Sequence, residues 1–217
     1  MRQSKGIPPL PGWCDRTLQG LAHWVGHRRA LYDGAPLTEG ALVGEACNLL
    51  AARIQNGEVL FCEVQYARLL PGRLPDCLVQ SSRADIVIAE GIKRAKAKGP
   101  GGLRDCTSAV IEMKRASTGK ALINKDIVRL AELKACLRGR NPGLRAFLVL
   151  VSEARRPGRF VRQDGMAVRG KRKDFGPSVP GSYYRVRRVC KAAHSFKKKE
   201  SAHYTCILEV FNAAARH

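Results

Sequence analysis

An α/β protein, with a central mixed β-sheet flanked by helices, is what the sequence predicts, and three features of its patterning point there. Two long stretches place apolar residues at helical spacing along one broad side. Four shorter stretches alternate, or run apolar, over strand length. In chain order these read helix, strand, strand, strand, helix, strand, with a helical segment before them and a basic, strand-rich segment after.

Residues 1–36 form an N-terminal extension. Its Pro-rich lead, "MRQSKGIPPLPGW", lacks the apolar stretch of a signal peptide. "CDRTLQGLAHWVGHRRALY" then spaces Leu18, Leu21, Trp24 and Val25 as an accessory helix. His23 and His27 stand four apart, a metal-compatible spacing, but no third ligand is near in sequence and both read as ordinary helix residues.

Residues 37–154 carry the regular core. "LTEGALVGEACNLLAARIQNG" starts on Thr38 as an N-cap, turns Leu42, Cys47, Leu49, Leu50 and Ile54 to one side, and stops at Asn56-Gly57. "EVLFCEVQYARLL" alternates as a strand up to Pro71-Gly72, and "ADIVIAE" is a second strand after the polar turn at Ser81-Ser82. A basic insert, "GIKRAKAKGPGGLRD", separates it from a third strand, "AVIEMKRAS". In "INKDIVRLAELKACLRG" the buried stripe is Ile123, Ile127, Leu130, Leu133 and Leu137, and Asn124, Lys125, Asp126, Arg129, Glu132 and Lys134 are read as the outer side. "LRAFLVLVSE" is apolar throughout, as a strand covered on both faces should be. Residues 155–217 form a basic C-terminal extension packed on the core; positions 155–199 hold 15 Lys and Arg against two acids, and "SYYRVRRVCKA" and "AHYTCILEVF" are its strands.

The chain has 39 Lys and Arg against 18 Asp and Glu, a formal charge of +21, which draws it toward polyanions and makes nucleic acid the leading partner. No apolar run reaches the roughly 20 residues of a membrane span, so a cytoplasmic protein without membrane contact is expected. A homodimer is compatible with the sequence, although no heptad or isolated apolar helix argues for one. The eight cysteines are scattered singly with no CxxC pair, which fits buried free thiols better than zinc or disulfides.

Side chains alternate along a strand, so in "AVIEMKRAS" Glu112 and Lys114 share one face and Ile111 and Met113 the other. Asp85 leads the second strand in "RADIVI", and Glu45 sits among apolar residues of the first core helix. Phosphodiester hydrolysis needs a hard divalent cation on oxygen ligands, an activated water, and positive charge at the phosphate. Asp85 and Glu112 can supply the ligands, the Met113 carbonyl a further one, and Lys114 can orient or help deprotonate the water.

"RADIVI" followed by "AVIEMKRAS", on this element order over roughly Thr38 to Glu153, resembles the PD-(D/E)XK superfamily of restriction-endonuclease-like nucleases. The resemblance implies an α-β-β-β-α-β core and a Mg²⁺-dependent DNA endonuclease, with Mn²⁺ able to substitute. It implies Asp85 and Glu112 as metal ligands, Lys114 at the attacking water, and Glu45 as the helix glutamate many members add, although Glu39 lies on the same helix. The family's Pro-Asp pair has a literal match at Pro75-Asp76, which competes with Asp85. In the family the helix after ExK flanks the substrate, which makes Lys125 and Arg129 phosphate contacts, against surface pairing with Asp126. Lys93, Arg94 and Lys96 of the insert and Arg185, Arg187 and Arg188 of the C-terminal tract are further candidates for salt-sensitive DNA binding. Phe160, Phe175, Tyr183, Tyr184 and Phe196 could stack on bases or form a small hairpin core. Two plainer readings stand beside these: Glu112 and Lys114 lining the solvated face of an edge strand, and a non-catalytic nucleic-acid-binding protein that uses its basic surface.

Overall fold

A computed structural model of the chain describes residues 7–32, 36–55, 57–70, 72, 74–79, 81–91, 102–168, 179–193 and 202–212. Its elements are α1 (Trp13–Leu31), α2 (Glu39–Ala51), β1 (Glu58–Gln65), α3 (Tyr66–Leu69), β2 (Arg83–Glu90), α4 (Gly102–Cys106), β3 (Thr107–Arg115), α5 (Lys120–Leu137), β4 (Arg145–Ser152), β5 (Ser182–Ala193) and β6 (Ala202–Asn212). Among the described residues the strands form one six-stranded mixed sheet in the order β1-β2-β3-β4-β6-β5. Only β3 and β4 run parallel, joined by the α5 crossover that a parallel pair requires. The predicted order of helices and strands is present, and the fold is α/β.

Thr38 caps α2 as its position implies, its Oγ1 accepting the Ala41 N–H at 3.2 Å. The helix ends at Ala51, short of the expected Asn56-Gly57, because the Arg53 and Ile54 amides both fold back on the Leu50 carbonyl. β1 also ends early. A strand continuing through "YARLL" would send alternate side chains to opposite faces. The single turn of α3 instead lets Tyr66, Leu69 and Leu70 all enter one core.

Apolar side chains cover both faces of the sheet. One layer, beneath α5, contains the expected stripe Ile123, Ile127, Leu130, Leu133 and Leu137 together with Val110, Leu148 and Tyr66. The other, beneath α1 and α2, contains Leu18, Leu21, Leu42, Ile86, Ile111, Met113 and Phe147. Ile111 and Met113 therefore face away from Glu112, as strand alternation demands. β3 is the third of six strands and Glu112 is 3% exposed, so the solvated edge-strand reading does not hold. Asp126 also departs from expectation: it is 2% exposed, not on the outer side of α5. It stands three residues after Ile123 and four before Leu130, and so lies on the buried stripe itself.

The C-terminal strands continue the same sheet, with β6 pairing β4 and β5 pairing β6. α1 lies against them, tied by the Thr205 hydroxyl donating to the Leu18 carbonyl at 2.8 Å. Buried Glu209 binds both Arg145 and Arg187, and these arginines also hold the carbonyls of Pro9 and Pro8. Tyr183 stacks on Phe211, and Tyr184 packs on Phe160, as the hairpin-core reading has it. Phe175 and Phe196 lie outside the described residues. No helix among those described is long and apolar enough to cross a membrane.

All eight cysteines are free thiols. Cys47 on α2 and Cys62 on β1 bring their Sγ atoms to 2.9 Å. Burial, followed by the Cys62 hydrogen bond, raises Cys47 to about 12. Exposed Cys62 is therefore the thiol expected to attack an added small-molecule disulfide, and Cys47 the one to resolve the mixed disulfide. Two protein thiols become one disulfide as the reagent is reduced to two thiols. Peptide mapping after this treatment should find Cys47 and Cys62 linked; both recovered as free thiols would contradict the geometry.

Candidate functional site

Four carboxyl groups and two cations from α2, β2, β3 and α5 meet toward the end of the sheet where β3 terminates. With Ile86 paired to Ile111 in antiparallel register, Asp85 falls opposite Glu112. Pairing stops there, and the Asp85 carboxylate takes over a strand's task by accepting the Met113 N–H at 2.6 Å. In a strand a residue's N–H and C=O point toward the same neighbour, so the Met113 carbonyl also faces the β2 side. On the other side of Asp85, Glu63 of β1 occupies the left-handed region at φ 53°, between the pairs Cys62–Ile86 and Val64–Ala84. A non-glycine residue rarely adopts this conformation, which interrupts the β1 edge level with Asp85.

Glu112 is held by the Tyr66 hydroxyl, which donates to its Oε1 in a short hydrogen bond. Burial first, and then the charge of Asp85, push Glu112 well above the usual carboxylate range, partly offset by that hydroxyl. Burial also raises Asp85, against the lowering effects of the Met113 amide and Lys114. Tyr66 is raised by burial and by Glu112, and so stays a neutral donor. Like charges forced together out of water resist ionising unless a cation joins them.

Lys114 reaches past Glu112 to Glu39 Oε2 at 2.8 Å and to Asp126 Oδ2 at 3.5 Å. Burial alone would lower its pKa, but the Glu39 hydrogen bond and the Asp126, Glu39 and Asp85 charges outweigh it and hold the ammonium above its usual value. Burial raises Asp126, against the pull of Lys114 and of Arg129, whose Nη1 donates to Oδ1 at 3.0 Å. Thr118 donates to Glu39 Oε1 at 3.4 Å and closes the network.

Sequence reading thus named three members, Asp85, Glu112 and Lys114, and the structure brings them together. Glu45 is half-buried on α2 and makes no hydrogen bond or ion pair among the described residues; Glu39 is the α2 carboxylate that reaches the cluster. Asp76 is exposed in a turn, and its charge adds to burial in raising Glu132. Tyr66 and Asp126 were missed as site residues, and Glu39 was named only as the second glutamate on the helix of Glu45. Only Asp126 carried a signal, a carboxylate at a stripe position of an amphipathic helix.

Among the candidate phosphate contacts, Lys125 is exposed on α5 while Arg129 is engaged with Asp126 and the Cys77 carbonyl. Arg187 is bound to Glu209, Arg188 pairs with Asp15 at 2.9 Å, and Arg185 lies over the Tyr183 ring. Lys93, Arg94 and Lys96 lie outside the described residues. Their flanking residue Gly91 follows β2 at the end away from Asp85, six residues or about 20 Å along the strand.

The donor set suits a small hard cation. Asp85 and Glu112 offer carboxylate oxygens, and Mg²⁺ is commonly held by one or two carboxylates while keeping several waters. Among the described residues no three His, Cys, Asp or Glu side chains are grouped to hold a metal ion, so any remaining ligands would be a backbone carbonyl and water. Compared with known proteins, the chain matches no family model, no curated protein and no solved structure.

Proposed function

We propose that the chain is a Mg²⁺-dependent nuclease of the PD-(D/E)XK, restriction-endonuclease-like type that hydrolyses phosphodiester bonds in DNA. The observation that carries this reading is a buried carboxyl on an interior strand, Glu112, beside a second on the next strand, Asp85, with a lysine two positions on. Glu39 and Asp126 are paired with Lys114 and Arg129, and the repulsion that remains between Asp85 and Glu112 supports a cation as the missing partner.

Asp85, Glu112 and the Met113 carbonyl would hold the ion. A bound Mg²⁺ would acidify a water and offset charge on the phosphate. Tyr66 fixes the Glu112 carboxylate from behind, and the Met113 amide fixes Asp85. Lys114, kept protonated by Glu39 and Asp126, acts as a donor: its Nζ orients the attacking water and faces the charge that develops on the phosphate. General-base work by this lysine is disfavoured because its neighbours raise its pKa. The basic surface brings in DNA through counterion release.

The reading is tested by incubating the protein with Mg²⁺ or Mn²⁺ and a panel of duplex, single-stranded and branched DNAs. Cleavage that EDTA abolishes is expected. Salt-sensitive binding with no metal-dependent product on any of these, or on RNA, would instead support the non-catalytic reading.

A further inference from the structure

A second charged site lies on the opposite face of β3 from the carboxylate cluster and at the same end of the sheet. β3 and β4 are parallel, so their C-terminal ends open together there. A cleft of about 440 Å³ is lined by Arg29 of α1, Arg115 at the end of β3, Ser117, and Glu153, Arg155 and Arg156 after β4. That volume falls within the range of ligand clefts, roughly 300–1,000 Å³.

Four guanidinium groups share this cleft with one carboxylate. Glu153 bridges Arg29 at 3.4 Å and Arg115 at 3.5 Å, both longer than the roughly 2.7–2.9 Å of a strong charge-assisted bond. The Arg115 Nε is buried without a hydrogen-bond partner. Arg156 is oriented by donating to the Val161 carbonyl, and Arg155 is exposed with no side-chain partner among the described residues. An excess of three positive charges in one concavity is unfavourable until an anion enters it. Guanidinium forks match a tetrahedral oxyanion bidentately, and the exposed Ser117 hydroxyl adds a neutral donor.

The cleft is joined to the carboxylate cluster through adjacent residues. Arg115 follows Lys114 directly, and the turn after it carries Ser117 into the cleft and Thr118 onto Glu39. We infer that the arginine cleft binds a phosphate group of a nucleic-acid strand, next to the site where that strand would be cut. The nucleic-acid identity of the ligand rests on the function proposed above; the binding itself requires no catalysis.

The test is made in EDTA, so that cleavage plays no part. A fluorescent single-stranded oligonucleotide, with or without a terminal phosphate, is titrated into wild type, Arg155→Gln, Arg115→Gln/Arg155→Gln and Arg140→Gln. Arg140 is exposed in the turn before β4, at the far end of the sheet, so the last variant controls for loss of one charge. Arg155→Gln disturbs no internal pair and should fold normally. It is expected to weaken binding about 5-fold, and the double variant about 10-fold or more, with the salt slope falling by about 0.7 for each phosphate-binding arginine removed. Arg140→Gln should stay within about 2-fold of wild type. If the phosphate is terminal, wild type prefers the phosphorylated oligonucleotide and the double variant loses the preference. If it is internal, both oligonucleotides weaken equally. Should the cleft variants bind like wild type, or lose no more than Arg140→Gln, the inference is overturned. A protein with the expected cleft effects but no Mg²⁺-dependent cleavage would remove the nuclease reading and leave the phosphate site standing.

Discussion

Glu112→Gln should abolish DNA cleavage and Mg²⁺ binding together while leaving the metal-free protein at least as stable as wild type. Metal-ion charge stabilisation is worth several kcal/mol, so the rate is expected to fall about 10³-fold or more. At Mg²⁺ near 100 times its Kd, wild type gains about 2.7 kcal/mol by linkage. For a chain of this size that corresponds to a Tm rise of about 5–10 °C, which the Glu112→Gln variant should lack. The sign of the metal-free comparison follows from burial. Glu112 titrates well above its unfolded value of 4.5, so the folded state binds the proton more tightly than the unfolded state. Its contribution is fully present below pH 4.5 and declines as pH rises from there through the raised folded value. The substituted amide would keep an acceptor for the Tyr66 hydroxyl and lose this decline, so in metal-free buffer at pH 8 the variant should melt no lower than wild type. An undiminished Mg²⁺-induced shift in the variant would remove Glu112 from the metal site.

Lys114→Ala separates catalysis from metal and DNA binding. The lysine is expected to contribute through orientation and charge at the reacting phosphate, an effect of about 10²–10⁴ in rate. Removing it leaves Glu39 free to be solvated, and Asp126 still held by Arg129 at 3.0 Å. The stability loss should lie between that of exposed and buried pairs, about 1–3 kcal/mol, small enough to assay a folded protein at 25 °C. The Mg²⁺-induced Tm shift should persist, and DNA affinity in EDTA should change no more than about 2-fold. Cleavage at the wild-type rate by this variant would end the catalytic assignment, whatever the fate of Glu112.

The two variants test different parts of one network. Glu112 is buried against Tyr66 and Asp85, where the question is what compensates crowded negative charge. Lys114 spans from β3 to α2 and α5, where the question is which way its ammonium is aimed. Glu39 and Asp126 hold that aim. In the proposed mechanism they act on the chemistry through Lys114, as positioning residues.

Periodicity and capping chemistry are local, and the chain states them openly. Thr38 before an apolar helix, the period-2 alternation of Glu112 and Lys114 against Ile111 and Met113, and the stripe from Ile123 to Leu137 all depend on neighbours within a few positions. Those features were legible, and with them the element order and the Asp85, Glu112 and Lys114 triad. Where β1 ends was not legible, because it depends on whether Tyr66, Leu69 and Leu70 find a common core across the sheet.

The partners of the triad are a tertiary matter. Glu39 is 75 residues from Lys114 in the chain, and Tyr66 is 46 from Glu112. Nothing in local sequence distinguishes Glu39 from Glu45; the direction in which α2 crosses the sheet selects one. The same holds for the arginines: composition announced an excess of positive charge, yet Arg187 is spent inside the fold on Glu209 while Arg155 is left open to solvent beside Arg115. Net charge is a sum over the chain and survives any arrangement. Which charges remain available to a ligand depends on the distances that packing sets between residues far apart in sequence.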